Sequence, residues 1–188
     1  MRNLLKYAGV SLLVVGLAAC DGKKDAPAAE KSASTQTQTH QAGETVSLMD
    51  GKLSFTLPVG MVDKSGKLGT QANNMYVYAD ESGQKAIIVI AAEASNDSLD
   101  DLAKRMIEQQ RSRSPQMQVV TNKEITVNNQ PLQQVDTVID ASEHPAWSTL
   151  VMGKVDGKLL TLQITLPGND QQAAQTEAAN FIKTLQLK

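Results

Sequence analysis

Four features of this sequence carry side chains of a type that could perform chemistry. Cys20, the single cysteine, closes an apolar stretch as Leu17-Ala18-Ala19-Cys20. His144 lies in Ser142-Glu143-His144-Pro145, and His40 lies in a run of Thr and Gln. Gly60 to Gly69 holds Lys64 and Lys67 among its glycines. A Ser-His-acid relay needs a histidine held by packed neighbours. His144 sits in an expected turn and His40 has no apolar residues around it, so both read as solvated side chains. A glycosidase needs two positioned carboxylates, and nothing in the acidic residues pairs two of them. The glycine stretch has neither P-loop nor dinucleotide spacing and reads as a surface loop. Long loops carry recognition more often than short ones, so Gly66, Lys67, Leu68, Gly69, Thr70, Gln71, Asn73 and Asn74 form the expected recognition loop. Two histidines without a cysteine cluster suggest no zinc site. No catalytic residue, metal or cofactor is expected.

The elements that position these residues begin with an export signal. Arg2 and Lys6 precede an uncharged stretch from Ala8 to Ala19. As a helix it would span roughly 18 Å, well short of the ~30 Å hydrocarbon core, so residues 1–19 read as a cleaved signal and not a membrane span. Leu17-Ala18-Ala19-Cys20 resembles the bacterial lipobox. The resemblance implies a diacylglyceryl group on the Cys20 sulfur, cleavage after Ala19, and acylation of the new amine by a chain such as palmitate. Two or more chains anchor stably where one holds only marginally. Asp21 resembles the enterobacterial signal that retains a lipoprotein at the inner membrane, on its periplasmic side, although Gly22 departs from the strongest form of that signal. The lipidated cysteine would leave no free thiol, in keeping with an oxidising compartment.

Residues 20–44 read as the lipidated cysteine and a linker. From Asp21 to Glu44 there is no Val, Ile, Leu, Met, Phe, Tyr or Trp. Such a stretch is expected to be disordered, with an end-to-end distance of about 25–30 Å. A net charge of −2 and a pI near 5.7 leave no basic footprint for nucleic acid. Residues 45–188 form one domain, long enough for a single core.

Alternating runs around Asp50-Gly51 predict a hairpin over residues 46–57 with a two-residue turn. A second pair is expected at 75–79 and 85–92. The apolar run Ala86 to Ala92 predicts a central strand covered on both faces. Ser98 is expected to cap a helix whose apolar face is Leu99, Leu102, Ala103, Met106 and Ile107, with Asp100–Lys104 and Asp101–Arg105 ion pairs and Pro115 as its stop. Four strands follow at 116–127, 130–141, 146–155 and 158–166, joined by Asn128-Asn129 and Asp156-Gly157. Asn169 is expected to cap a final helix presenting Ala174, Ala178, Phe181, Ile182 and Leu185. Trp147, Tyr76 and Tyr78 read as packing residues. Strands joined by tight turns must be antiparallel, so the fold class is α+β, an antiparallel sheet flanked by two main helices.

The whole chain is similar to the DcrB family of enterobacterial lipoproteins. The resemblance rests on the lipobox with Asp21, on Asp50-Gly51-Lys52-Leu53-Ser54-Phe55, on Gly66 through Met75, on Gln109-Gln110-Arg111-Ser112-Arg113, and on Leu162-Gln163-Ile164-Thr165-Leu166-Pro167. It implies a Mog/PsbP-like α/β/α sandwich and a role in bacteriophage adsorption or entry. The reading that follows is a non-enzymatic inner-membrane lipoprotein, held to the membrane through Cys20, whose periplasmic domain contacts an unidentified envelope protein. The alternatives are a small-molecule or lipid-binding module and an accessory factor in lipoprotein or envelope homeostasis. An enzyme would need a pocket of convergent polar groups that the sequence does not locate.

Overall fold

The computed structural model describes residues 43–66, 74–139 and 144–188. Cys20, Asp21, His40, residues 67–73, Ser142 and Glu143 lie outside the described residues. In chain order the elements are β1 (Thr45–Leu48), β2 (Leu53–Thr56), β3 (Val62–Asp63), β4 (Met75–Ala79), β5 (Ala86–Glu93), α1 (Leu99–Arg113), β6 (Met117–Val127), β7 (Gln130–Ile139), β8 (Ala146–Val155), β9 (Lys158–Pro167), α2 (Gln171–Ile182) and β10 (Gln186–Leu187).

Seven strands form one antiparallel sheet in the order β3-β4-β5-β9-β8-β7-β6, and β1-β2-β10 form a smaller antiparallel sheet. Side chains alternate across a strand, so each large-sheet face has its own core. On one face Ile87, Val89, Leu162, Ile164 and Trp147 meet Leu53 and Phe55 of the small sheet and Ala178 and Phe181 of α2. On the other, Val135, Leu150 and Met152 meet Leu102, Ala103 and Ile107 of α1. This is the α+β sandwich expected from the order of elements. The edge-to-face pairs Phe55–Tyr78 and Phe55–Phe181 tie the small sheet to both β4 and α2.

Local signals explain most boundaries. Asn128-Asn129 and Asp156-Gly157 have positive φ at both positions and join directly paired residues, Val127 to Gln130 and Val155 to Lys158, as a two-residue hairpin turn requires. The Asp101 N–H donates to Ser98 Oγ at 3.1 Å, capping α1 as expected.

Several expectations are corrected. The Asp50-Gly51 turn is longer than two residues: Leu48 pairs with Leu53, and Met49, Asp50 and Gly51 all have positive φ. Arg105 pairs with Asp97 at 2.7 Å instead of Asp101, whose carboxylate accepts from Ser98 Oγ; Asp100–Lys104 forms at 2.6 Å. The cap of α2 is Asp170, not Asn169, and its carboxylate accepts from the Ala173 N–H at 2.9 Å. The two-residue strands β3 and β10 are too short to leave a periodic signal. Finally, β5 is interior to the sheet but buried on one face only; Ile88 and Ile90 on the other are half-buried. The strands buried on both faces are β7, despite Gln133, Gln134, Asp136 and Thr137, and its neighbour β8.

Candidate functional site

The strand ends sort into two poles. The Met49–Lys52 turn, Asn74, Asn128-Asn129 and Asp156-Gly157 lie at one, which we call the turn pole. Gly43, Leu57, the Asp80–Lys85 turn and the Pro145–Gly168 contact lie at the other, the entry pole, as the strand registers require.

A groove of about 260 Å³ opens at the turn pole, lined by Met49, Asp50, Asn74, Tyr76, Ala91, Asp156 and Lys158. Three connections converge there. The Asn74 carbonyl accepts from the Ala91 N–H at 2.9 Å, which fixes the start of β4 against β5. Met49 and Asp50 sit at φ 54° and Asp156 at φ 51°. For an unbranched apolar residue such as Met49 this conformation is uncommon, and backbone strain of this kind concentrates at functional sites. The groove offers two carboxylates, an ammonium, an amide and a phenol. That set can hydrogen-bond the backbone or polar side chains of a protein ligand, and among the described residues its lining contains no serine, cysteine or histidine to act as a nucleophile–base pair.

The two described ends of the expected recognition loop, Gly66 and Asn74, lie towards this pole. Lys64 N–H donates to the Val77 carbonyl at 2.8 Å. The Val77 N–H donates to Ser65 Oγ at 2.9 Å. These contacts bring Gly66 to the same end of β4 as Asn74. Lys67, Leu68, Gly69, Thr70, Gln71 and Asn73 lie outside the described residues. Asn74 lines the groove, while Asp50 and Asp156 were legible in the sequence only as turn residues.

His144 is exposed at the entry pole and lines a groove of about 240 Å³ with Gln84, Pro145 and Asn169, and no carboxylate lines it among the described residues. Among the described residues no three His, Cys, Asp or Glu side chains are grouped as metal ligands.

Sequence reasoning missed a buried polar cluster under α2 and the small sheet. Thr149 Oγ1 donates to Asp136 Oδ1 at 2.7 Å, Gln134 Nε2 donates to Asp136 Oδ2 at 2.9 Å, and Trp147 Nε1 donates to Thr149 Oγ1 at 2.9 Å. All four residues are buried. Their donors are consumed within the cluster and Thr149 is out of reach of solvent, so the arrangement locks β7 against β8 and does not attack a substrate. The clue was available: Leu132, Gln134, Asp136 and Val138 share one face of a strand that is otherwise apolar there. On β4, well away from this cluster, Tyr78 packs on Phe55 and has its phenol pushed up to about 12, first by burial and then by the negative charges of Asp63 and Glu44.

The DcrB family profile matches residues 53–184. The chain belongs to the DcrB family. It is 53% identical over 188 residues to the protein named inner membrane lipoprotein DcrB of Shigella flexneri, with both chains covered completely. The DcrB domain is also similar in fold to the cyanobacterial PsbP of Synechocystis, at a TM-score of 0.61 and 14% identity, over 78% of this chain and 93% of that one. It resembles the Ran-binding protein Mog1p of Saccharomyces cerevisiae at a TM-score of 0.53 and 12% identity, over 77% and 94%. The sandwich is therefore the Mog/PsbP-like fold that the sequence resemblance implied.

Proposed function

We propose that this DcrB-family chain is an inner-membrane lipoprotein, anchored through lipid on Cys20 and retained by Asp21, whose periplasmic domain works by binding protein partners and not by catalysis. The observation that carries the reading is the 53% identity, over the full length of both chains, to a protein named inner membrane lipoprotein. No described helix is long and apolar enough to cross a membrane, so membrane attachment by lipid fits the described domain. The turn-pole groove supports a binding role, since it combines a strained backbone with mixed polar groups and lacks a nucleophile–base pair. Through its partners the domain would support envelope physiology, including lipoprotein homeostasis, and any part in phage adsorption or entry would be indirect.

Two readouts on one strain test this. Growth with an alkyne analogue of palmitate should label the native chain and place it in the inner-membrane fraction. Cys20→Ala should abolish labelling and release the domain from the membrane. A photo-crosslinker in place of Asn74 should capture the same envelope protein repeatedly, and capture should fall in the Cys20→Ala background. Labelling that survives Cys20→Ala would sink the anchoring. Crosslinks no different from those at an exposed α1 position such as Glu108 would sink the binding surface.

A further inference from the structure

Among the described residues the large hydrophobic side chains left exposed are Val59 at 69%, Val62 at 46% and Val120 at 48%. Two of the three lie together at the entry pole. Pro58-Val59-Gly60-Met61 is a tight turn, with the Met61 N–H donating to the Pro58 carbonyl at 3.2 Å and Gly60 at φ 86°. A positive φ at the third position is what a type II turn requires, and it puts Val59 at the tip. Met61 turns inward and is buried, while Val62 begins β3 with its side chain outward.

The same pole receives the chain. Glu44 and Leu57 are joined by a hydrogen bond from the Leu57 N–H to the Glu44 carbonyl at 2.8 Å. A side chain on Gly43 would overlap the Leu57 carbonyl, so glycine is required where the chain enters. Gly43, Leu57, Pro58, Val59 and Phe181 line one shallow, mostly apolar groove of about 220 Å³, with Glu177 and Asn180 among its other lining residues. Residue 43 is thus held within two residues of the exposed valine turn.

We propose that the entry pole is a shallow membrane-docking surface, with Val59 and Val62 resting in the interfacial layer of a phospholipid bilayer. The occupant follows from where the chain outside the described structure ends. Residues 21–42 link Cys20 to Gly43 and, fully extended, span at most about 80 Å. If Cys20 carries lipid, as proposed above, its chain ties this pole, and not the turn pole, to the bilayer. Docking is then intramolecular, so a contact too weak to hold a free protein is enough. Glu44 and Asp63 are exposed on the same side and limit entry to the tip of the turn. The contact is therefore apolar in origin, and salt strengthens it by screening the repulsion between these carboxylates and anionic lipid. Docked this way, the domain turns the Asp50–Asn74–Asp156 groove away from the membrane.

The test uses the full lipidated chain reconstituted in vesicles of phosphatidylethanolamine and phosphatidylglycerol, with Val59→Cys, Val62→Cys or, at the turn pole, Thr126→Cys carrying an environment-sensitive fluorophore. Flotation with the vesicles reads the anchor separately from the docking. Doxyl-labelled lipid should quench the labels at 59 and 62 roughly two- to threefold more than the label at 126, and Val62→Asp should reduce quenching at 59 while flotation persists. Chains that float but show equal quenching at all three sites overturn the docking and leave the anchor standing. An apolar shift at 59 without lipid quenching overturns it in favour of a protein, including a second copy of this chain, on that face. Chains that fail to float overturn both readings.

Discussion

The two faces of the seven-stranded sheet are built from the same strands and meet different fates. One face is covered along most of its width by α2 and the small sheet, so that Ile87, Val89, Leu162 and Ile164 are sealed. The other carries α1 over β6, β7 and β8, and Ile88 and Ile90 of β5 are left half-buried. Composition runs the opposite way: β5 is the most apolar strand and β7 one of the more polar. A strand's burial is decided by what passes over it, and the strand's own residues only have to tolerate the result. β7 tolerates it because Asp136, Gln134 and Thr149 satisfy one another.

The largest expected effect tests that contrast directly. Ile164→Ala should lower unfolding free energy by about 3–4 kcal/mol in urea denaturation, whereas the chemically identical deletion Ile88→Ala should cost about 1 kcal/mol or less. Equal losses would mean that the second face is covered in solution, and the comparison would fail. Next in size, Asp136→Ala should cost about 2–3 kcal/mol, because it strands the Thr149 hydroxyl and the Gln134 amide in the interior. Asp136→Asn should recover part of that, since the amide oxygen still accepts from Thr149. A neutral Asp136→Ala would show that water enters the cluster. The smallest effect concerns pH. The folded-state pKa of Tyr78 is raised to about 12, above the value near 10 of an unfolded chain. The stability it contributes is fully present below pH 10 and is lost as pH rises towards 12. Native protein should therefore lose up to about 1.4 kcal/mol per pH unit more than Tyr78→Phe across that window; parallel curves would mean the phenol is solvated.

Sequence patterns reached different depths in different places. Helix α1 was legible to its cap because Ser98, Asp101 and the apolar spacing are all local. The Asn128-Asn129 and Asp156-Gly157 hairpins were legible for the same reason. The Asp50-Gly51 dipeptide misled, since the turn widens to include Met49 and the dipeptide alone does not set loop length. Arg105 was assigned to Asp101 by spacing, but Asp97, just outside the helix, competes for it. The candidate groove was half legible. Asn74 was singled out as the end of a long loop, yet its meeting with Asp50 and Asp156 depends on strand order, which no local pattern encodes. The Asp136 cluster was missed because a carboxylate on a strand is ordinarily read as solvent-facing.

Strand β10 carries a consequence for the order of assembly. It closes the small sheet on β2, its Leu187 N–H donates to Asn128 Oδ1 at 2.9 Å, and the Thr56 N–H donates to a hydroxyl, that of Thr184, lying 128 positions further along the chain. Until residue 187 has left the ribosome, β2 lacks this neighbour and the Phe55 side of the core stands open. Contacts so distant in sequence form slowly. A chain that has not yet delivered β10 therefore leaves that side of the core open, and closes it only when residues 186 and 187 arrive beside β2.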